Sequence, residues 1–141
     1  MKSAKYGAHM RSPILHFAHC TLHVAFNFKT SIMEKNIFEH SNVFRFPENV
    51  DYSSGGIISK RVIDRPVGTV TLFSFDAGQR LSTHSAPYDA MLQVIDGKAE
   101  VTINEVPFIL TTGETIIMPA GIPHAVNALE KFKMVLTMIK G

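Results

Sequence analysis

After residue 55 the chain is cut into short runs of branched and aromatic residues by turn formers, and no apolar stripe at helical spacing lasts twelve residues. This punctuation limits the fold more than any other feature of the sequence. Residues 56–63 (GIISKRVI) and 69–75 (TVTLFSF) read as strands separated by the break Arg65-Pro66-Val67-Gly68. Residues 90–95 and 99–103 flank Asp96-Gly97-Lys98. An Asp-Gly pair between two such runs is the strongest short-range hairpin signal, because glycine takes positive φ without a steric cost, so a β-hairpin is expected there. Residues 106–110 follow an Asn104-Glu105 turn, residues 115–118 follow Gly113, and residues 132–139 make the last strand. Strands this short and this close together favour an antiparallel sandwich or barrel over an α/β fold.

Within these runs the period-two alternation says which side chains share a face. Ala99, Val101 and Ile103 point one way and Glu100 and Thr102 the other, so that strand is half-buried. In the last strand Phe132, Met134, Leu136 and Met138 lie opposite Lys133, Val135, Thr137 and Ile139. Both faces are substantially apolar, so one is expected to meet an internal cavity and the other a second sheet or a partner chain. A homodimer is the expected assembly, since small barrels hide an apolar outer face against a second copy.

Charge narrows the function classes. Residues 1–32 hold Lys2, Lys5, Arg11 and Lys29 with no acid, whereas residues 33–141 hold ten Lys/Arg and twelve Asp/Glu. The basic pI of about 8.8 therefore comes largely from the first 32 residues, and the remainder gives no electrostatic reason to expect nucleic acid. Histidines 16, 19 and 23 interrupt the apolar stretch of that leader, which suits neither a signal peptide nor a membrane-spanning helix. Residues 1–32 are read as an added or mis-started segment outside the domain, with a targeting peptide as the alternative, and residues 33–141 as a single domain. No membrane partner is expected. Cys20 is the only cysteine, so no disulfide can form within one chain, and a cytoplasmic location fits.

Two stretches carry chemistry. Gly78 is followed by His84, Ala86, Ala90 and Gly97; Gly113 is followed by Pro119, Gly121, His124 and Ala128. Pro119 and Pro123 restrict the loop before His124, so its imidazole is delivered with little conformational freedom. His84 and residue 86 share a strand face, where a second histidine would converge on a metal. The second stretch, GETIIMPAGIPHAV, and the degraded first one together resemble the paired motifs of the cupin family over roughly residues 67–139. The resemblance implies an all-β, double-stranded β-helix or jelly-roll barrel.

In a metal-loaded cupin, three histidines and a glutamate are the ligands. Of these positions this chain supplies only His84 and His124, with Ala86 and Ala90 in place of the others. Two imidazoles can bind Zn, Fe, Ni, Mn or Cu, but tight sites recruit a third protein donor. Candidate substitutes are Ser82, Tyr88, Asp89 and Gln93. Ser82 has the parity of His84 and is expected to face the cavity; strict alternation turns Asp89 and Gln93 away unless a bulge turns them back. Asp89 is either a general base or a residue that fixes the loop. Met134, with Met91, Met118, Met138, Phe73 and Phe75, is expected to contribute to an adaptable apolar pocket. The expected ligand pocket is therefore Ser82, His84, Asp89, Gln93, His124 and Met134, holding an unidentified small molecule. A metal-dependent oxygenase, isomerase or cyclase using His84 and His124 as partial ligands is the alternative.

Overall fold

The structure is a computed structural model that describes residues 38–141; the leader and the boundary expected at residue 33 lie outside the described residues. The described residues form an all-β jelly roll, as expected. Nine strands follow a 3-10 turn at Phe46–Asn49: β1 Ile57–Arg65, β2 Gly68–Phe75, β3 Arg80–His84, β4 Asp89–Asp96, β5 Lys98–Ile103, β6 Val106–Thr111, β7 Thr115–Met118, β8 His124–Ala128 and β9 Phe132–Ile139. They make a five-stranded sheet in the order β1-β2-β9-β4-β7 and a four-stranded sheet in the order β3-β8-β5-β6. Every pairing is antiparallel.

Short corners carry the chain from one sheet to the other between β2 and β3, β4 and β5, β6 and β7, and β8 and β9. Each corner sets its two strands across the barrel from one another. β2, β9, β4 and β7 consequently lie over β3, β8, β5 and β6 in that order. All four corners fall at one end of the barrel, which leaves the other end to the loops before β4 and β8.

The Asp96-Gly97 pair is one of these corners. The hairpin expected there does not form: β4 pairs with β7 and β9, and β5 pairs with β6 and β8. Gly97 has φ of 80°, and a Cβ on it would lie 2.0 Å from the Lys131 carbonyl oxygen. The glycine is thus required by the backbone of the neighbouring corner as well as by its own turn. The true two-residue hairpin joins β5 to β6 through Asn104 and Glu105, both at positive φ.

Alternation fills the space between the sheets. Phe75, Leu92, Val94, Val101, Phe132 and Met134 are buried together in one cluster, with Phe75 and Phe132 stacked at 4.5 Å between ring centroids. Burying each such side chain contributes roughly 1.5–3 kcal/mol. The opposite face of the five-stranded sheet has its own cover. Phe38 and Val50 pack there on Leu72 and Val135, flanked by Phe46. Polar ties hold this strap: Lys133 Nζ donates to the Pro47 carbonyl at 2.6 Å, Ser74 Oγ to the Asp51 carbonyl at 2.7 Å, and Tyr52 Oη to Asp96 Oδ2 at 2.5 Å. Burial, and then the Asp96 carboxylate, raise the Tyr52 pKa above its ordinary value and keep the phenol a donor. The two faces of β9 therefore divide as the alternation requires, Phe132 and Met134 inward and Val135 against the strap.

Candidate functional site

At the end of the barrel away from the corners, each strand of the four-stranded sheet presents one inward residue to a common row. Val106 on β6 pairs with Ile103 on β5, Ile103 with His124 on β8, and His124 with His84 on β3. The five-stranded sheet presents the facing row: Met118 on β7 pairs with Ala90 on β4, Ala90 with Met138 on β9, and Met138 with Thr69 on β2.

His84 reaches this position because of a bulge. β3 and β8 pair at Leu81 with Val126 and again at His84 with His124, so three steps on β3 oppose two on β8. The extra residue lets both Leu81 and His84 face inward. Their imidazoles meet edge to face, with ring centroids 4.5 Å apart and planes at 67°. His124 is buried at 6% exposure, while His84 stands exposed at the opening.

Each ring is oriented by the backbone carbonyl two residues before it. His84 Nδ1 lies 2.7 Å from the Ser82 carbonyl and His124 Nδ1 lies 3.0 Å from the Ile122 carbonyl. A carbonyl oxygen can only accept, so both Nδ1 atoms carry the proton. In the neutral ring that leaves each Nε2 as a free lone pair. The loop behind His124 is tied as well: Asp89 Oδ1 accepts the Ala120 N–H at 2.8 Å, and the Gly121 N–H donates to the Ala86 carbonyl at 2.7 Å. Asp89 is therefore a loop-fixing residue, through Ala120 rather than through its own neighbours.

The other expected pocket residues fall elsewhere. The bulge that turns His84 inward leaves Ser82 exposed, in an outer groove of about 490 Å³ lined also by Arg80, Glu100, Thr102 and Asn127. The parity argument for Ser82 fails because of one additional residue. The bulge in β4 lies between Val94 and Asp96, beyond both Asp89 and Gln93, so neither is turned back. Gln93 lines a second outer groove, of about 450 Å³, beside Phe46 and Pro47. Neither groove is lined by a histidine. Met134 faces inward as a fully buried core residue packed with Phe75 and Phe132.

Comparison with known proteins agrees with this architecture. Residues 71–140 match the model of the cupin domain. A conserved protein of unknown function from Streptococcus pyogenes is 39% identical, with a TM-score of 0.71, over 76% of this chain and 93% of its own. The chain belongs to the cupin family. A cupin 2 conserved barrel domain protein from Leptotrichia buccalis is 41% identical, with a TM-score of 0.67, over 69% of this chain; the match spans 47% of that protein. A cupin superfamily protein from Desulfitobacterium hafniense has the same fold at 20% identity and a TM-score of 0.70, over 76% of this chain and 97% of its own. No curated protein matches the chain.

The cupin metal can be tested against the donors present. The two Nε2 lone pairs suit a transition metal, and their Nδ1–H to carbonyl bonds are the usual support for ligating imidazoles. The rest of the set is missing. Ala86 and Ala90 carry no lone pair, Asp89 is engaged with Ala120, and Gln93 is on the outer face. Among the described residues no group of three His, Cys, Asp or Glu side chains gathers to hold an ion. This donor set does not fit a tightly held metal, which takes at least three protein ligands. Among the described residues, no helix is long and apolar enough to cross a membrane.

Proposed function

We propose that this cupin binds a small molecule at the open end of its barrel, anchored by His84 and His124 and without a tightly held metal. The observation that carries this reading is the imidazole pair: rings 4.5 Å apart, each fixed by the carbonyl two residues before it so that Nε2 is left for an outside partner. Convergent polar groups set in an apolar wall are what a ligand site requires. Here the apolar neighbours that keep some exposure are Ile103 and Met138, while Ala90 and Met118 are buried in the core. The imidazoles can accept or transfer a proton at Nε2, which makes acid or base catalysis on the bound molecule chemically available. No observation favours the metal-dependent oxygenase, isomerase or cyclase over binding, since each would need a third donor.

The test compares the untagged full chain with its His84→Ala, His124→Ala double variant. Metal content should be the same in both, whatever the leader histidines take up. A panel of small apolar alcohols and phenols should shift the histidine ring signals of the wild type and leave the variant silent. One equivalent of metal lost on going to the double variant would overturn the metal-free reading.

We also propose that two copies associate through the outer face of the five-stranded sheet. Met91, Ile117 and Ile139 are 44%, 62% and 61% exposed on the adjacent strands β4, β7 and β9. These side chains lie beyond the residues of the strap.

A further inference from the structure

β6 is the end strand of its sheet and pairs with β5 alone. Its segment, VPFILT, is uncharged and rich in strand-forming side chains, and Val106, Phe108 and Ile109 on it are exposed. Such an edge is a template for a further strand, and a second copy of this chain can always supply one.

The direction of each backbone group decides how open the edge is. The two-residue turn Asn104-Glu105 makes Ile103 and Val106 a hydrogen-bonded pair, so on β6 the residues bonded to β5 recur at Phe108 and Leu110. Pro107, Ile109 and Thr111 therefore aim their main-chain groups the other way. Pro107 has no N–H to offer. Thr111 is engaged twice over: its N–H donates to Glu114 Oε2 at 2.7 Å and its carbonyl accepts the Glu114 N–H at 3.0 Å. Its hydroxyl donates to the same carboxylate oxygen at 3.1 Å. Among the described residues, Ile109 alone is left with both outward groups open.

We infer that Pro107 and Glu114 shut the β6 edge against a strand from a second copy. Laid antiparallel about Ile109, that strand sets Pro107 of each copy opposite the partner's Thr111. A missing donor then faces an occupied acceptor, and an occupied donor faces the Pro107 carbonyl, so Ile109 must hold the pair by itself. Association is left to surfaces whose backbone is already paired, such as the outer face of the five-stranded sheet.

The experiment compares the full chain with Pro107→Val and with the Pro107→Val, Glu114→Ala double variant. Sedimentation at matched concentrations, thermal melting and amide hydrogen exchange at Ile109 are read on each. Every backbone hydrogen bond restored to the edge should strengthen association about two- to tenfold. The double variant should therefore form larger species than the wild type, with the Ile109 N–H protected, while in the wild type that N–H exchanges freely.

A double variant that melts cooperatively and keeps the wild-type size overturns the inference. So does an Ile109 N–H already protected in the wild type, or growth in size that leaves it exchanging freely, since association would then run through another surface. If the double variant has no cooperative melt, Pro107→Val decides, because it leaves the Glu114 corner intact. It should associate by a smaller step with partial protection of Ile109, and wild-type behaviour there overturns the inference.

Discussion

Replacing Gly97 by alanine tests the corner that holds the two sheets in facing register. Two costs add. At φ of 80° any Cβ is strained, by roughly 1–2 kcal/mol. The new methyl would also lie 2.0 Å from the Lys131 carbonyl oxygen, 2.8 Å from Phe132 Cα and 2.9 Å from Phe132 Cβ. Two of these neighbours are backbone atoms and cannot rotate away, so the start of β9 must move. Phe132 is fully buried and stacked on Phe75, and overpacking at such a site costs about 1–3 kcal/mol. The sum is about 2–5 kcal/mol.

Gly113 is the control, with φ of 92° and nothing within 4 Å of an added Cβ. Gly113→Ala should therefore show the first cost alone, about 1–2 kcal/mol. Thermal melts of the two variants of the full chain, run side by side, should place Gly97→Ala lower by roughly 5 to 20 °C, at about 4–8 °C per kcal/mol for a domain near this size. Equal melting temperatures would mean that the corner does not close on β9. The facing of β4 over β5, and with it the alignment of the two inward rows, would then be wrong.

Three further outcomes are expected. Asp89→Ala removes the acceptor of the Ala120 N–H and should cost about 0.5–1.5 kcal/mol, with a change in the His124 ring signals by NMR; unchanged signals would show that the loop holds the imidazole without Asp89. The Asp76 carboxyl is held below the usual carboxylate range, first by the Gly55 N–H and then by that of Ala77, so it stabilises the fold above that range and ceases to do so as pH falls through the lowered pKa. Wild type should accordingly be more stable than Asp76→Asn near neutral pH and lose that advantage in acid; a gap that widens on acidification would contradict the assignment. For the assembly, light scattering of the full chain should give twice the chain mass and Ile117→Lys a smaller value, while a wild-type monomer would dismiss the dimer.

How far the sequence could be read depended on whether a feature was periodic or a single irregularity. Period-two alternation placed Val101 inside and divided the two faces of β9, because each burial follows from a neighbour two residues away. Asp89 and Gln93 were expected in the pocket only through a bulge that would turn them back, and the bulge of β4 lies beyond both. Asp96-Gly97 was misread for a different reason. A glycine at positive φ serves a hairpin and a sheet-to-sheet corner equally well, and only the pairing partners of β4 and β5 distinguish them. Ser82 failed because a bulge leaves no mark in composition.

The bulge in β3 also decides what the pocket can be. Leu81 and His84 both face inward only because of the extra residue between them; under strict alternation Leu81 would carry Thr83 inside, and His84 would turn to solvent beside Ser82. The pairing of His84 with His124 is thus built by local geometry that the chain retains, although alanines stand at the two other ligand positions. A site that had simply lost its use would have no need to keep both imidazoles oriented by Nδ1–H bonds to nearby backbone carbonyls. Orientation costs side-chain freedom, and here it leaves two Nε2 lone pairs side by side at the end of the barrel, which has physical sense as the anchor of the small molecule proposed above.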